Sequence, residues 1–322
     1  NISENRYNFQ PEDRYTRFGT LSNVREFKVY FEGQEKDLFR TLFGTAYATY
    51  RLNEQNSLTL QASAFHTKEQ ETYDITGQYW LNSLDSGTQV DGTTNEEETS
   101  ETIGVGTYME HARNYLTAEV QSYSITGRHR LKSHSLQWGA EFKRERIKDR
   151  MREWEMRDSA GYSMPQTSEG PELFYTLRSR NETDSKRYGF YLQDTYRFRS
   201  TAGLFTLTAG IRGSYWDWNK EFIFSPRASL ALIPAFNEKF TLRVAAGVYY
   251  QAPFYKEFRD TTQVDGIATV SLNRDIRSQR SLHFMAGGDY NFRAMDRPFR
   301  FSMEVYYKAL SNLIPYNIDN VR

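Results

Sequence analysis

Long stretches of this sequence alternate between apolar and polar residues with a period of two. In FTLRVAAGVYYQ (240–251), one side carries Leu242 and Val244, and the other carries Arg243 and Tyr249. Successive side chains of an extended strand point to opposite sides, so the pattern predicts a β-strand whose two faces meet different environments. The apolar side must meet either the core of a soluble protein or lipid.

The same alternation predicts ten strands, most of them about 10–15 residues long. Strands of ordinary globular sheets average roughly 5–6 residues, whereas a tilted strand needs about 9–11 to cross a bilayer. The length therefore favours a membrane protein. The predicted strands are 38–52, 57–67, 115–131, 135–147, 187–198, 204–216, 222–234, 240–251, 281–292 and 299–308.

The links between these strands alternate in length. Alternation of this kind places all short turns at one edge of an antiparallel sheet, as in outer-membrane barrels, whose periplasmic turns are short and whose extracellular loops are long. Only 217–221 is short where a long link is expected. The predicted periplasmic turns are 53–56, 132–134, 199–203, 235–239 and 293–298, and the predicted extracellular loops are 1–37, 68–114, 152–186 and 252–280.

The composition supports an all-β, transmembrane antiparallel β-barrel. Aromatic residues make up 16% of the chain, with 23 Tyr and 22 Phe, and barrels use such residues in girdles at both membrane interfaces. Mean hydropathy is −0.75, because alternating strands hide their apolar side chains among polar ones. A soluble β-sandwich explains the alternation equally well, but it explains the strand length, the alternating links and the aromatic content poorly.

Four short motifs in the second half carry a resemblance to a known family. They are YLQD (191–194), LTAGIR (207–212), SPR (225–227) and GVYYQAP (247–253), the last leading into a long link. In this order and spacing they resemble the barrel of TonB-dependent outer-membrane receptors. The resemblance is strongest over 186–260 and looser over 38–151 and 280–310. The long loops resemble those of Bacteroidota receptors in general style.

The resemblance implies a 22-stranded barrel with an N-terminal plug, in the bacterial outer membrane. Residues 1–322 are then expected to be a partial barrel domain, since the plug and the last strands are absent from this sequence. Receptors of this family import a scarce ligand, such as a metal chelate, glycan, peptide or vitamin, with energy from the TonB–ExbB–ExbD complex. The implied partners are that complex (through the plug), outer-membrane lipid and lipopolysaccharide, an unknown small ligand and a surface lipoprotein.

Strand parity predicts which residues line the interior of the barrel. Tyr249 is the strongest candidate for ligand contact, because it is aromatic and lies just before the 252–280 loop. Gln251, Arg243 and Arg212 share its face and are further candidate ligand-binding residues. The competing interpretation is that the interior charges pair with a plug or with each other.

The sequence predicts neither an enzyme nor a resident cofactor. Cysteine is absent, the five histidines lack metal-ligand spacing, and there is no Gly-rich phosphate loop. No histidine follows an aspartate at the Asp-x-His spacing of barrel proteases. Zero net charge gives no overall attraction to nucleic acid. A passive porin, and a receptor barrel repurposed as an adhesin or secretion accessory, stay open as alternatives to the importer.

Overall fold

One antiparallel sheet contains almost all of the described chain. The computed structural model describes residues 1–20, 23–84, 100–158 and 171–314. The sheet runs in the order β1-β3-β4-β5-β6-β7-β8-β9-β10-β13-β14, with β2 beside β3 and the β11–β12 hairpin beside β7. β1 and β14 are its two edges, so the sheet is open, as part of a larger barrel would be. The strands are β1 Ile2–Phe9, β2 Arg14–Thr20, β3 Asn23–Arg51, β4 Asn56–Leu84, β5 Ser100–Leu131, β6 His134–Asp158, β7 Glu172–Ser200, β8 Gly203–Trp216, β9 Glu221–Pro234, β10 Phe240–Gln251, β11 Arg259–Val264, β12 Ile267–Leu272, β13 Gln279–Ala294 and β14 Arg297–Ser311.

The predicted strands and their short turns are found. Each of the ten predicted strands lies within one observed strand, give or take a residue, and the all-β prediction is confirmed. The tight connections fall at one edge of the sheet, at 52–55, 132–133, 201–202, 235–239 and 295–296. None of the described residues belongs to a helix that is long and apolar enough to span a membrane.

The segments predicted as long loops consist of β-strand over most of their length. Residues 1–37 contain β1, β2 and the start of β3, and 68–114 and 152–186 are mainly extensions of β4 to β7. Polar and charged residues alternate in these extensions, so the apolar periodicity that marks the other strands is missing, although the hydrogen-bond ladder continues. Residues 85–99 and 159–170 lie outside the described chain, and the extracellular position of these segments stays a prediction.

Two rows of aromatic rings mark the boundaries of the apolar face, the side of the sheet that carries Leu242 and Val244. The upper row joins Tyr123, Phe142, Tyr188 and Tyr215, with ring centroids 5.3–6.4 Å apart. The lower row lies near the short turns and includes Tyr196, Phe198, Phe205, Phe240, Tyr290, Phe292 and Phe299.

The spacing of these rows fits a bilayer. Tyr188 and Phe198 are ten residues apart on β7, about 33 Å along a strand and about 25 Å along the membrane normal at a tilt near 40°. Leu242 and Val244, between the rows, are 48% and 52% exposed. The apolar face therefore meets lipid, and the opposite, polar face lines the interior of the barrel.

Candidate functional site: the mouth of the barrel wall

Residues 252–278, here called the mouth loop, cover the part of the barrel wall where the strands are shortest. β7 is 29 residues long, whereas β8 and β9 have 14 each and join at the tight turn 217–220. Beside this hairpin, Phe258 of the mouth loop packs on Trp216 and Trp218, with centroids 5.8 and 5.4 Å away. These three residues form the buried hydrophobic cluster of the described chain. The mouth loop thus covers the end of the β8–β9 hairpin, which its own short link at 217–220 leaves uncovered.

A buried carboxylate on β6 anchors the start of the mouth loop. Tyr255 in the 3₁₀ helix Tyr255–Phe258 donates a 3.0 Å hydrogen bond to Asp149, and Arg259 Nη1 lies 3.0 Å from the same carboxylate oxygen. Asp149 is only 4% exposed at its side chain. Burial, followed by the neighbouring Asp149 charge, raises the pKa of the Tyr255 hydroxyl, so that Tyr255 remains a donor.

The middle and the end of the mouth loop are fixed to the neighbouring strands. β12 pairs in parallel with β7 through Ile267 and Ala268. At the end of the loop, Ser278 donates a 2.6 Å hydrogen bond to Glu221. The β9–β10 ladder ends at Arg227, next to Pro226, which has no N–H to donate. The loop is therefore held at three separate points.

A cleft lined by charged side chains lies on the polar face below the mouth loop. Arg212 lies 3.7 Å from Glu141, while Arg187 stacks 4.2 Å from the Trp216 ring and lies 3.4 Å from Glu145. The cleft measures about 290 Å³, at the lower limit of the roughly 300–1,000 Å³ typical of ligand sites. It is large enough for part of a small ligand only.

Tyr249 lies on the polar face, as its parity predicts. Its ring contacts two side chains. The Arg227 guanidinium is 4.4 Å from the ring centroid, and the centroid of the His283 ring is 4.5 Å away. Arg227 and Arg212 line the same cleft, so the structure brings Tyr249 and Arg212 together through Arg227. Gln251 is exposed at the end of β10, opposite Gln279.

Arg243 belongs to a separate ionic network nearer the short turns. Asp289 and Glu304 accept from its guanidinium at 3.2 and 3.3 Å. Asp289 also accepts from Arg300 at 2.8 Å and from Ser302 at 2.7 Å. These bonds match the interpretation that interior charges pair with each other. The ligand-binding roles of all four candidates stay predictions.

A carboxylate-rich surface lies on the polar face of β3–β6, above the upper aromatic row. The sequence analysis did not predict it. Register places Glu35, Asp37, Glu71, Glu153 and Glu155 on this side. Burial first, and neighbouring carboxylates second, raise the pKa values of Glu35 and Asp37. Over the described ranges no group of three or more potential ligands has the geometry to hold a metal ion.

Comparison with known proteins identifies a family. The family described as TonB dependent receptor-like, beta-barrel matches residues 1–321. Similar solved structures include a ferric enterobactin receptor mutant from Pseudomonas aeruginosa in complex with enterobactin (12% identity, TM-score 0.43), the siderophore receptor PirA from the same organism (13%, 0.40) and the RagAB peptide transporter (10%, 0.39). They are matched over 92%, 90% and 92% of this chain. The chain spans 52%, 50% and 44% of their lengths, and the search of curated proteins gave no match.

Proposed function

Because this chain belongs to the TonB-dependent receptor-like β-barrel family, we propose that it forms part of the wall of an outer-membrane importer. The single observation that carries the proposal is the family match, which covers residues 1–321. The family is one of receptors and transporters. The complete protein would bind a scarce ligand at its outer mouth and move it inward through the barrel.

The geometry supports binding by several modest contacts in place of one strong motif. The mouth loop, the cleft at Arg212 and the ring of Tyr249 lie on one face near the mouth. Aromatic and arginine side chains suit a ligand with planar, polar groups, such as a metal chelate, glycan, peptide or vitamin. The carboxylate-rich surface favours ligands without a large negative charge.

Energy for import would come from TonB–ExbB–ExbD, acting on a plug inside the complete barrel. Arginine and carboxylate side chains on the polar face support this role, since they offer paired charges to a docked plug. A surface lipoprotein that closes over the mouth is a further proposed partner. It would meet the rim of the barrel wall and the mouth loop.

Uptake by cells that carry the full-length protein tests the proposal. Growth on the limiting nutrient should stop when TonB is deleted or when the proton gradient is collapsed, while binding of the nutrient to intact cells persists. The porin alternative makes the opposite prediction. If uptake continues without TonB and the reconstituted full-length protein conducts small solutes freely, the importer proposal is wrong.

A further inference from the structure

The cleft below the mouth loop carries an excess of positive charge. Its lining contains four cations but only two carboxylates. The cations are Lys143, Arg187, Arg212 and Arg227, and the carboxylates are Glu141 and Glu221. A third carboxylate, Glu145, lies 2.7 Å from Lys143 and 3.4 Å from Arg187. The unbalanced charge of the cleft therefore falls on Arg212 and Arg227.

The carboxylates of the lining do not saturate these two arginines. Glu221 accepts hydrogen bonds from Ser278 and Asn219 at the end of the mouth loop. Glu141 lies 3.7 Å from Arg212, too far for a hydrogen bond, and both side chains are about half exposed. Among the described residues, no carboxylate lies within ion-pair distance of Arg227, whose guanidinium rests on the ring of Tyr249. Both arginines therefore keep N–H donors for a bound anion.

Strand register brings the two arginines to neighbouring positions. Arg212 on β8 is opposite Ser225 on β9, and Arg227 is opposite Gly210, so the two arginines are diagonal neighbours on the polar face. Long side chains at diagonal positions of adjacent strands are within reach of each other. One anion can therefore contact both guanidinium groups, and its charge offsets the repulsion between them.

Two further N–H groups of the cleft are buried without an acceptor among the described residues. Trp216 is 5% exposed, and its Nε1 has no hydrogen-bond partner. Arg187 Nε is also buried, and Glu145, 3.4 Å away, does not have hydrogen-bond geometry. Buried N–H groups of native proteins nearly always have an acceptor, supplied by the chain, by water or by a bound group. Since both side chains line the cleft, the group that is missing there is an acceptor.

We infer that the cleft binds a carboxylate group of the imported ligand, with Arg212 and Arg227 as its main donors. The N–H groups of Trp216 and Arg187 supply further donors. Arginine forks match the two oxygens of a carboxylate in bidentate geometry. A carboxylate brings a single negative charge, whereas a phosphate monoester brings about two, which the carboxylate-rich surface of the mouth disfavours. The inference rests on the proposed import function and specifies the chemistry of its ligand.

A matched pair of small probes tests the inference on the full-length protein in nanodiscs. The probes para-fluorobenzoate and para-fluorobenzamide have nearly the same size and shape, but the first carries a carboxylate and the second a neutral amide. Fluorine NMR measures the affinity of each. The variant R212Q/R227Q removes both charges and keeps polar side chains. The matched control R128Q/R197Q removes two exposed arginines of the polar face that lie outside the cleft. Heat-modifiable gel mobility verifies that each barrel is folded.

We expect the wild type to bind the benzoate roughly tenfold more tightly than the benzamide, because charge-assisted hydrogen bonds form with the benzoate alone. R212Q/R227Q should bind the two probes equally, and the control should keep the wild-type preference. The inference is overturned if the wild type does not prefer the benzoate, or if the folded R212Q/R227Q variant still does. Loss of the preference in the control would also overturn it, since the general charge of the interior would then be responsible. The measurement involves neither TonB nor transport, so failure of the importer proposal is distinguishable.

Discussion

Tyr255 donates a 3.0 Å hydrogen bond to Asp149, a residue 106 positions earlier in the chain. Because Arg259 uses the same carboxylate, Asp149→Ala should release two contacts and let the mouth loop open more often. A bond to a charged group contributes about 1.5–3 kcal/mol, so we expect roughly 10- to 100-fold faster amide exchange over 255–272. Tyr255→Phe removes one bond and should produce a smaller increase. Hydrogen exchange measured by mass spectrometry checks both.

Asp260→Asn is the matched control for the loop anchor. Asp260 lies in β11 of the same loop and is exposed, so its loss should leave exchange unchanged. The anchor model fails if Asp149→Ala behaves like this control.

The two faces of β10 should tolerate charge very differently. Leu242→Arg places a guanidinium against lipid two residues above the lower aromatic row. The cost there lies between about 0–1 kcal/mol at the interface and about 2–4 kcal/mol at the bilayer midplane. Thr241→Arg projects to the polar face, opposite Asp289 in the register, where a carboxylate is available. Heat-modifiable mobility and outer-membrane yield should fall for Leu242→Arg only. Equal tolerance at the two positions would contradict the assignment of the faces.

Tyr249 should contribute to ligand capture through its ring. Tyr249→Ala removes the surface that stacks with Arg227 and His283, and we expect about a tenfold loss of ligand affinity, close to 1.4 kcal/mol. Tyr249→Phe keeps the ring and should retain most of the affinity. Binding to whole cells measures both variants. If the two variants lose affinity equally, the hydroxyl and not the ring makes the contact.

The hairpin formed by β2 and the start of β3 should lose stability in acid. A hydrogen bond from Tyr15, then bonds from Lys28 and Asn82, lower the pKa of Glu26 from 4.5 to about 2. Since the folded-state value lies below the unfolded one, the stabilisation is complete above about pH 4.5 and is lost as the pH falls towards 2. Glu26→Gln should remove this dependence. Amide protection of 14–20 in variant and wild type, compared at each pH, provides the measurement.

Cysteine labelling of intact cells should establish the orientation of the wall. A cysteine at 270, in the mouth loop, should react with an impermeant reagent from outside. A cysteine at 237, in a tight turn, should react only after the outer membrane is opened. The reversed pattern would invert the proposed topology.

The strands and their faces were predictable wherever apolar and polar residues alternate. Leu242 and Val244 are outward and Arg243 is inward, because a period of two fixes the side of every residue once one is known. The same rule failed to detect the upper half of β6, where cations alternate with carboxylates and neither side is apolar. A search for alternating charge would have found Arg150 and Asp149 on opposite faces.

The contacts of the mouth loop could not be predicted. Nothing near Tyr255 in the sequence points to Asp149, because the register of several intervening strands decides which carboxylate lies beside it. The sequence showed only that the 217–221 link is short where a long one is expected. Only the folded chain shows that Phe258 fills the space beside Trp216.

The alternating charges of β6 also constrain how the chain can misassemble. If β6 slipped by one residue against β5 and β7, every side chain would change face: Arg150 and its neighbours would turn inward, and Asp149 would turn outward. In the slipped pairing the polar face would lose the carboxylate that Tyr255 and Arg259 share. The charge pattern therefore favours the correct strand register above the membrane, where no contact with lipid distinguishes the two faces.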